Sequence, residues 1–148
     1  MAEQTFLMIK PDGVQRGLVG TIIARLEQKG YRMVAIKMLQ ITPELARQHY
    51  AEHVEKNFFP EMSQFITSSP VVAMVWEGEQ VVTAMRTLVG STNPNDAAPG
   101  TIRGDLGRSI SQNLIHGSDS VASAEREIGL FFTATEIINY QRDLERWL

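Results

Sequence analysis

His116 stands in the run Asn113-Leu114-Ile115-His116-Gly117-Ser118-Asp119-Ser120, after two large apolar residues and before glycine, serine and aspartate. The apolar pair predicts a backbone held against a core, and Gly-Ser-Asp-Ser predicts a turn that opens a helix with unpaired N–H groups. Such a helix start favours an anion. An imidazole beside it has the makings of a nucleophile for phosphoryl transfer, its lone pair attacking phosphorus while fixed donors take up charge on the phosphate oxygens. The same run also fits a hydrogen-bonded loop histidine without a chemical role.

Other residues bear on that choice. Glu127, eleven residues after His116, could return a carboxylate to the imidazole, fixing its tautomer and leaving the other ring nitrogen free to attack. Ser118 can cap the turn or bridge Glu127 to His116. Lys10, Arg86 and Arg103 come from three separated segments; singly each reads as a surface cation, and together they would clamp a polyphosphate. Of the adjacent Phe58 and Phe59 one is expected to face inward, leaving the other as a plate for stacking. His49-Tyr50-Ala51-Glu52-His53 matches the H-x-x-E-H pattern of inverted zinc peptidases, but five residues are a weak signal and no third ligand is evident. A nucleotide-sensing module is the other alternative; it would use the cations and the aromatic plate but not His116 or Glu127.

These residues need elements to position them. Residues 5–10 read as a buried strand stopped by the turn Pro11-Asp12-Gly13, which puts Lys10 at a strand's carboxyl end. Val19, Ile22, Ile23 and Leu26 follow helical spacing, with Gly30 as a left-handed stop. Residues 31–41 form the next strand. Thr42-Pro43-Glu44 starts a helix expected to reach about Glu55, and Met62, Phe65 and Ile66 mark a second, so that a helical hairpin is inserted between strands. Residues 70–76 are the third strand and Val81, Val82, Met85, Leu88 and Val89 the stripe of a helix ending at Gly90. From 91 to 117 periodicity is low, and structureless loops beyond about 12 to 15 residues are uncommon unless functional. This one carries Thr92, Arg103, Arg108 and Asn113. A helix from Ser120 to about Glu127, a stop at Gly129, a short strand at 130–132 and a helical turn or two in the tail complete the chain. The order is α/β of the α+β kind: a ferredoxin-like, four-stranded antiparallel βαββαβ sheet with helices on one face, an inserted helical hairpin, a long active-site loop and a C-terminal tail. That fold does not by itself decide function.

The 148 residues suit one domain spanning 1–148, and the 43% hydrophobic fraction is that of an ordinary globular protein. No cysteine is present, which excludes disulfides and thiolate zinc sites. No basic-then-apolar leader opens the sequence and no apolar run nears the roughly 20 residues that span a bilayer, so a cytoplasmic protein without membrane attachment is expected. Seventeen acids against fourteen bases give a net charge of −3, which argues against wholesale nucleic-acid binding but permits a local basic pocket.

Several motifs in one order carry a resemblance: Lys10-Pro11-Asp12-Gly13-Val14-Gln15-Arg16-Gly17, Met74-Val75-Trp76-Glu77-Gly78, Thr92-Asn93-Pro94, Pro99-Gly100-Thr101-Ile102-Arg103-Gly104-Asp105, and residues 113–120 with their Asn-x-x-His-Gly-Ser-Asp signature. Over essentially its whole length the chain resembles nucleoside diphosphate kinases. The resemblance implies that His116 takes the γ-phosphate of a nucleoside triphosphate and hands it to a nucleoside diphosphate by ping-pong exchange through phosphohistidine, at Nδ1. It implies that Glu127 and Ser118 orient the ring, and that Arg103 and Tyr50 lie near the transferred phosphate. Arg86 and Thr92 would serve the inner phosphates, and Lys10 and Asn113 the ribose hydroxyls. Phe58 would stack on the base with Ile110 as the opposite wall, accepting purines and pyrimidines alike. Mg²⁺ would bridge phosphate oxygens, reaching Asp119 at most through water. The tail through Trp147 resembles that of hexameric members, implying a homohexamer rather than a homotetramer. Gln112, where the family often has Arg, and the segment 106–111 depart from the pattern and bear only on the loop or on subunit contacts.

Overall fold

The computed structural model describes residues 2–148. Four strands, β1 (Gln4–Ile9), β2 (Arg32–Leu39), β3 (Val71–Glu77) and β4 (Ile115–Gly117), form one sheet in the order β2-β3-β1-β4, every pair antiparallel. The helices are α1 (Pro11–Gln15), α2 (Val19–Gln28), α3 (Pro43–His49), α4 (Phe59–Ile66), α5 (Val81–Val89), α6 (Ile102–Leu106) and α7 (Val121–Phe131). With α3 and α4 set aside as the inserted hairpin, the run β1-α2-β2-β3-α5-β4 is the expected split β-α-β arrangement.

Helices cover both faces of the sheet, not one. Leu7, Ile9, Val72, Met74 and Trp76 point to α2 and α5, where they meet Ile22, Leu26, Val81 and Met85. The alternate residues Phe6, Met8, Ala73 and Val75 point the other way, to Ile66, Ile128 and Phe131. A strand buried on both faces has no polar side to show, which is why β1 and β3 are continuous apolar runs rather than alternating ones.

The helix ends follow local chemistry. Thr42 Oγ1 accepts from the Leu45 N–H at 3.1 Å with Pro43 in the first turn, and Ser120 Oγ accepts from the Ser123 N–H at 3.0 Å. Gly30 takes φ +105° after α2, as its stop requires. Other boundaries differ from expectation. Instead of running to Glu55, α3 ends at His49, and Ala51–His53 form a separate 3-10 turn. The Pro11-Asp12-Gly13 turn is the start of α1. The long loop contains α6 and a 3-10 turn at Pro94–Asp96.

The largest correction concerns the fourth strand. Residues 130–132 are not a strand: α7 passes through Gly129, because Ala124, Glu127, Ile128 and Phe131 sustain the buried i, i+3, i+4, i+7 stripe while Gly129 sits on the exposed side. The fourth strand is β4, and His116 is its middle residue, paired with Met8. Beyond α7 the tail makes 3-10 turns at Ala134–Glu136 and Asp143–Trp147 and lies along the start of β2, with Ile138 N–H donating to the Val34 carbonyl at 2.8 Å and Tyr140 Oη to the Met33 carbonyl at 2.6 Å.

Gly13 allows α1 to pack under the segment that leads into β4. A Cβ there would stand 2.6 Å from Ile9 Cγ2 and 3.1 Å from the Leu114 carbonyl oxygen. Gly13→Ala is expected to lower unfolding stability by about 1–3 kcal/mol, the range for overpacking a filled core. A urea midpoint equal to that of the parent chain would show that Ile9 yields freely and that the approach is not a constraint.

Candidate active site

β4 delivers His116 directly after two buried residues. Leu114 and Ile115 are fully buried, as the apolar pair before the histidine predicts, and Leu114 is held at φ +75°. A leucine with positive φ is strained. Its backbone is fixed from both sides: the Lys10 N–H donates to the Leu114 carbonyl at 2.8 Å, and the Leu114 N–H donates to Asp12 Oδ2 at 3.0 Å.

The imidazole meets a carboxylate. His116 Nε2 lies 2.9 Å from Glu127 Oε1, and the Ser118 hydroxyl donates to the same oxygen at 2.6 Å. Burial alone would raise the Glu127 carboxyl, but the hydrogen bond and charge of His116 and the Ser118 hydroxyl outweigh it and hold the group below the ordinary carboxylate range. An ionised carboxylate only accepts, so His116 Nε2 carries the donated proton and the lone pair of a neutral ring is at Nδ1. Ser118 is itself held, its N–H donating to the Phe6 carbonyl of β1 at 3.0 Å. Ser118 does not stand between Glu127 and His116 as a bridge; the carboxylate meets the imidazole directly and Ser118 supports it from the side.

The cations divide into one that is built in and two with freer ends. Arg103 is 8% exposed and spends three N–H groups on carbonyls: Nε on Asn113 at 3.2 Å, Nη1 on Gly90 at 3.0 Å and Nη2 on Ile115 at 2.5 Å. Burial, with the nearby charge of Arg86, lowers its pKa to about 10, so it stays charged near neutrality. Arg86 is exposed on α5, with Nη1 3.3 Å from the Gly117 carbonyl. Lys10 Nζ donates to Asn113 Oδ1 at 2.8 Å, and Asn113 Nδ2 donates to the Thr92 carbonyl at 2.9 Å. Burial and the Arg103 charge pull the Lys10 pKa down to about 8. Three separated segments thus converge on one end of β1 and β4.

A cleft of about 580 Å³ beside α5 is lined by Arg86, Thr87, Gly90, Ser91, Thr101 and Asp119 among others. Asp119 is the carboxylate on its wall. A hard cation such as Mg²⁺ keeps several waters and needs one or two carboxylates plus phosphate oxygens, and an exposed Asp119 beside Arg86 fits an outer ligand of that kind. Another cleft, of about 650 Å³, lies between the C-terminal tail and Tyr31, Gly78 and Glu79, and is lined by none of the candidate catalytic or nucleotide-binding residues.

The aromatic pair separates as anticipated, Phe59 at 8% exposure and Phe58 at 46%. Phe58 caps the start of α4 with His53 at 5.5 Å and Lys56 Nζ 5.7 Å from its ring. Ile110 is exposed on the long loop. Tyr50 follows α3, and burial together with the Glu127 charge raises its hydroxyl well above the ordinary tyrosine range.

The sequence offered His49 only through a weak H-x-x-E-H match, and its place beside His116 went unread. As part of H-x-x-E-H it was expected on one helical face with His53, but α3 stops there, and Glu52 and His53 belong to the next turn. His49 is instead 3% exposed, with its ring edge-on to His116 at 4.7 Å between centroids. Burial, helped by the charge of His116, lowers its pKa to about 3 and keeps it neutral. A pairing across 67 positions leaves no spacing signal in the chain. Asp12 and Arg126 were also not singled out; Arg126 Nη2 lies 3.7 Å from Glu127 Oε2.

The nucleoside diphosphate kinase family model matches residues 3–137. A curated nucleoside diphosphate kinase of Bacillus thuringiensis subsp. konkukian is 58% identical over 146 residues, covering 99% of each chain. That of the archaeon Natronomonas pharaonis is also 58% identical, over 147 residues, covering 99% of this chain and 96% of its own. Among solved structures, a halophilic nucleoside diphosphate kinase of Halobacterium salinarum in complex with CDP matches with a TM-score of 0.97 and 54% identity, over 99% of this chain and 98% of that one. A Babesia bovis family protein matches with a TM-score of 0.95 and 43% identity over 98% of both chains. Similarity of this extent, over a fold and a histidine site of this construction, means that the chain belongs to the nucleoside diphosphate kinase family, and that it is a nucleotide phosphotransferase.

Proposed function

We propose that the chain moves the γ-phosphate of a nucleoside triphosphate to a nucleoside or deoxynucleoside diphosphate in two steps through a phosphohistidine at His116. The observation that carries this reading is the ionised, Ser118-bonded carboxylate on Nε2, which leaves the Nδ1 lone pair available. In the first step Nδ1 forms a bond to the γ-phosphorus and the bond to the bridging oxygen breaks, releasing the diphosphate. In the second a terminal oxygen of the acceptor diphosphate attacks that phosphorus, the P–N bond breaks and the imidazole is restored. Glu127 stabilises the positive ring throughout.

Arg103 and Tyr50 are the groups offered to the transferred phosphate, Arg86 and Thr92 to the inner phosphates, and Lys10 and Asn113 to the ribose hydroxyls. Mg²⁺ supplies charge neutralisation between phosphate oxygens when bound, and Asp119 would hold it through water. Phe58 stacks on the base opposite Ile110. A stacked base with few edge contacts is read as a flat ring, which supports broad base specificity, and the CDP complex of the Halobacterium relative agrees with a pyrimidine diphosphate as acceptor. A homohexamer rests on the resemblance of the tail alone; the exposed apolar side chains of Ile36, Met38, Ile138, Leu144 and Trp147 suit burial between subunits without fixing their number. A cytoplasmic location suits nucleotide substrates; among the described residues no helix is long and apolar enough to cross a membrane.

Incubation with γ-labelled ATP and Mg²⁺ without acceptor is expected to leave acid-labile, alkali-stable label on the protein, and unlabelled GDP or CDP to remove it as triphosphate. His116→Ala should take no label and keep its fold; exchange near the parent rate in that variant would sink the assignment. For Phe58→Ala we expect a raised KM with kcat nearly unchanged, since stacking is equal in ground and transition states. A large fall in kcat at constant KM would contradict the stacking role.

Lys10 gives a pH signature. With its pKa held near 8 by burial, part of the population is uncharged at pH 8, and a polyanion placed nearby favours the charged form. Nucleotide binding at pH 8 to 9 should therefore take up protons, seen as a dependence of calorimetric heat on the ionisation enthalpy of the buffer. Lys10→Met should remove that dependence; an unchanged dependence would assign the uptake to another group.

A further inference from the structure

His49 has no part in the reaction described above, and its burial is unexplained by packing alone. Both of its ring nitrogens are buried without a hydrogen-bond partner, although an apolar ring would fill the same space between Phe6, Tyr50 and Phe131. Its ring stands nearly perpendicular to that of His116, 4.7 Å between centroids, and one ligand atom from each of His49, His116 and Glu127 can be chosen so that all three lie within 4.8 Å of one another. Two imidazoles and a carboxylate are the donor set of zinc in open, three-ligand sites.

From this geometry we propose that His49, His116 and Glu127 bind a zinc-type transition-metal ion, and that its occupation reversibly silences His116. Bond lengths near 2.1 Å put neighbouring donor atoms of a tetrahedral site about 3.4 Å apart, so the set must contract from its present spread. Rotation of the His116 side chain, which is 22% exposed, is the motion open to it and also the route by which an ion enters. The fourth position falls to water.

Imidazole nitrogen favours Zn²⁺, Cu²⁺ or Ni²⁺ over Mg²⁺, which prefers oxygen, so the magnesium that accompanies nucleotides does not compete for the site. Lys10 and Arg126 stand close enough to act on this cluster and limit its affinity for a cation, which makes occupation dependent on metal supply. The silencing rests on the phosphohistidine reading: once the metal takes Nε2 of His116 together with the Glu127 carboxylate, the proton displaced from Nε2 passes to Nδ1 or to water, and the ring is a weaker nucleophile that has lost its orienting partner. Binding itself does not rest on that reading.

The test is calorimetric titration of Zn²⁺ into metal-free, nucleotide-free protein, with Co²⁺ absorption as a report of coordination. One ion per chain is expected. His49→Phe should weaken binding at least tenfold, His49→Gln serving in its place if the phenylalanine variant does not fold, while His53→Ala should leave binding intact. Absence of binding, or equal binding in parent and His49 variants, overturns the site. In parallel, phosphotransfer at saturating Mg²⁺ should fall over the same Zn²⁺ range, recover with a zinc-selective chelator, and lose its zinc sensitivity in the His49 variant. Zinc bound through His49 with phosphotransfer undiminished overturns the silencing. Failure of His116 to take label, with binding intact, would instead overturn the phosphohistidine reading.

Discussion

The structure depends on keeping one carboxylate ionised behind one imidazole. Glu127 is almost fully buried, a condition that by itself favours the protonated acid. Two short hydrogen bonds, from His116 and Ser118 to the same oxygen, reverse that preference. Two elements anchor the three residues: Glu127 is placed by the buried stripe of α7, and β1 holds both His116, through its pairing with β4, and Ser118, through the Phe6 carbonyl. A neutral Glu127 could donate a proton to the ring, and the tautomer that leaves Nδ1 free would no longer be enforced. The electrostatics of one pair thus set the register required of a strand and a helix.

A second constraint is the path of the loop into β4. It arrives through Leu114 at positive φ, a conformation held in place by Lys10, Asp12 and the Arg103 guanidinium. Three carbonyls that would otherwise be buried or poorly solvated, those of Gly90, Asn113 and Ile115, converge on Arg103. A charged donor is suited to this because hydrogen bonds to charged groups contribute about 1.5–3 kcal/mol, roughly twice a neutral one. The same side chain then has its remaining N–H groups and its charge held at the end of the sheet that the nucleotide phosphates would approach. All three guanidinium nitrogens of Arg103 are thus engaged with backbone, so the group is fixed in place before any ligand arrives.

Much of this was legible in the chain. The apolar runs of β1 and β3, the Thr42-Pro43 helix start and the Ser120 cap are local signals, and they appear where the residue types place them. The return of Glu127 to the His116 ring was anticipated from residue types and from resemblance together, whereas Ser118 was expected between the two and instead bonds the carboxylate alone. What the chain concealed was nonlocal. The fourth strand is only three residues long and carries His116 itself, too short for period-2 alternation to register. Gly129 suggested a stop, yet a stripe buried against Phe6 and its neighbours outweighed the roughly 1 kcal/mol that glycine costs a helix. His49 and His53 looked like a pair because four residues make one helical turn; the turn breaks after His49, and only the tertiary fold shows that its real neighbour is His116.

The two ends of the site differ in construction, and the difference bears on how a nucleotide is read. Around His116 the groups are locked by hydrogen bonds to backbone and to one another, whereas the aromatic ring of Phe58 stands half in solvent beside His53 and Lys56. Rigid, charged donors discriminate strongly, because a wrong geometry leaves them unpaired in a place that water does not fill. An exposed flat ring discriminates weakly, because dispersion contact changes little from one planar partner to another. On the proposed reading, selectivity would concentrate at the end where all nucleotides are alike, and tolerance at the end where they differ.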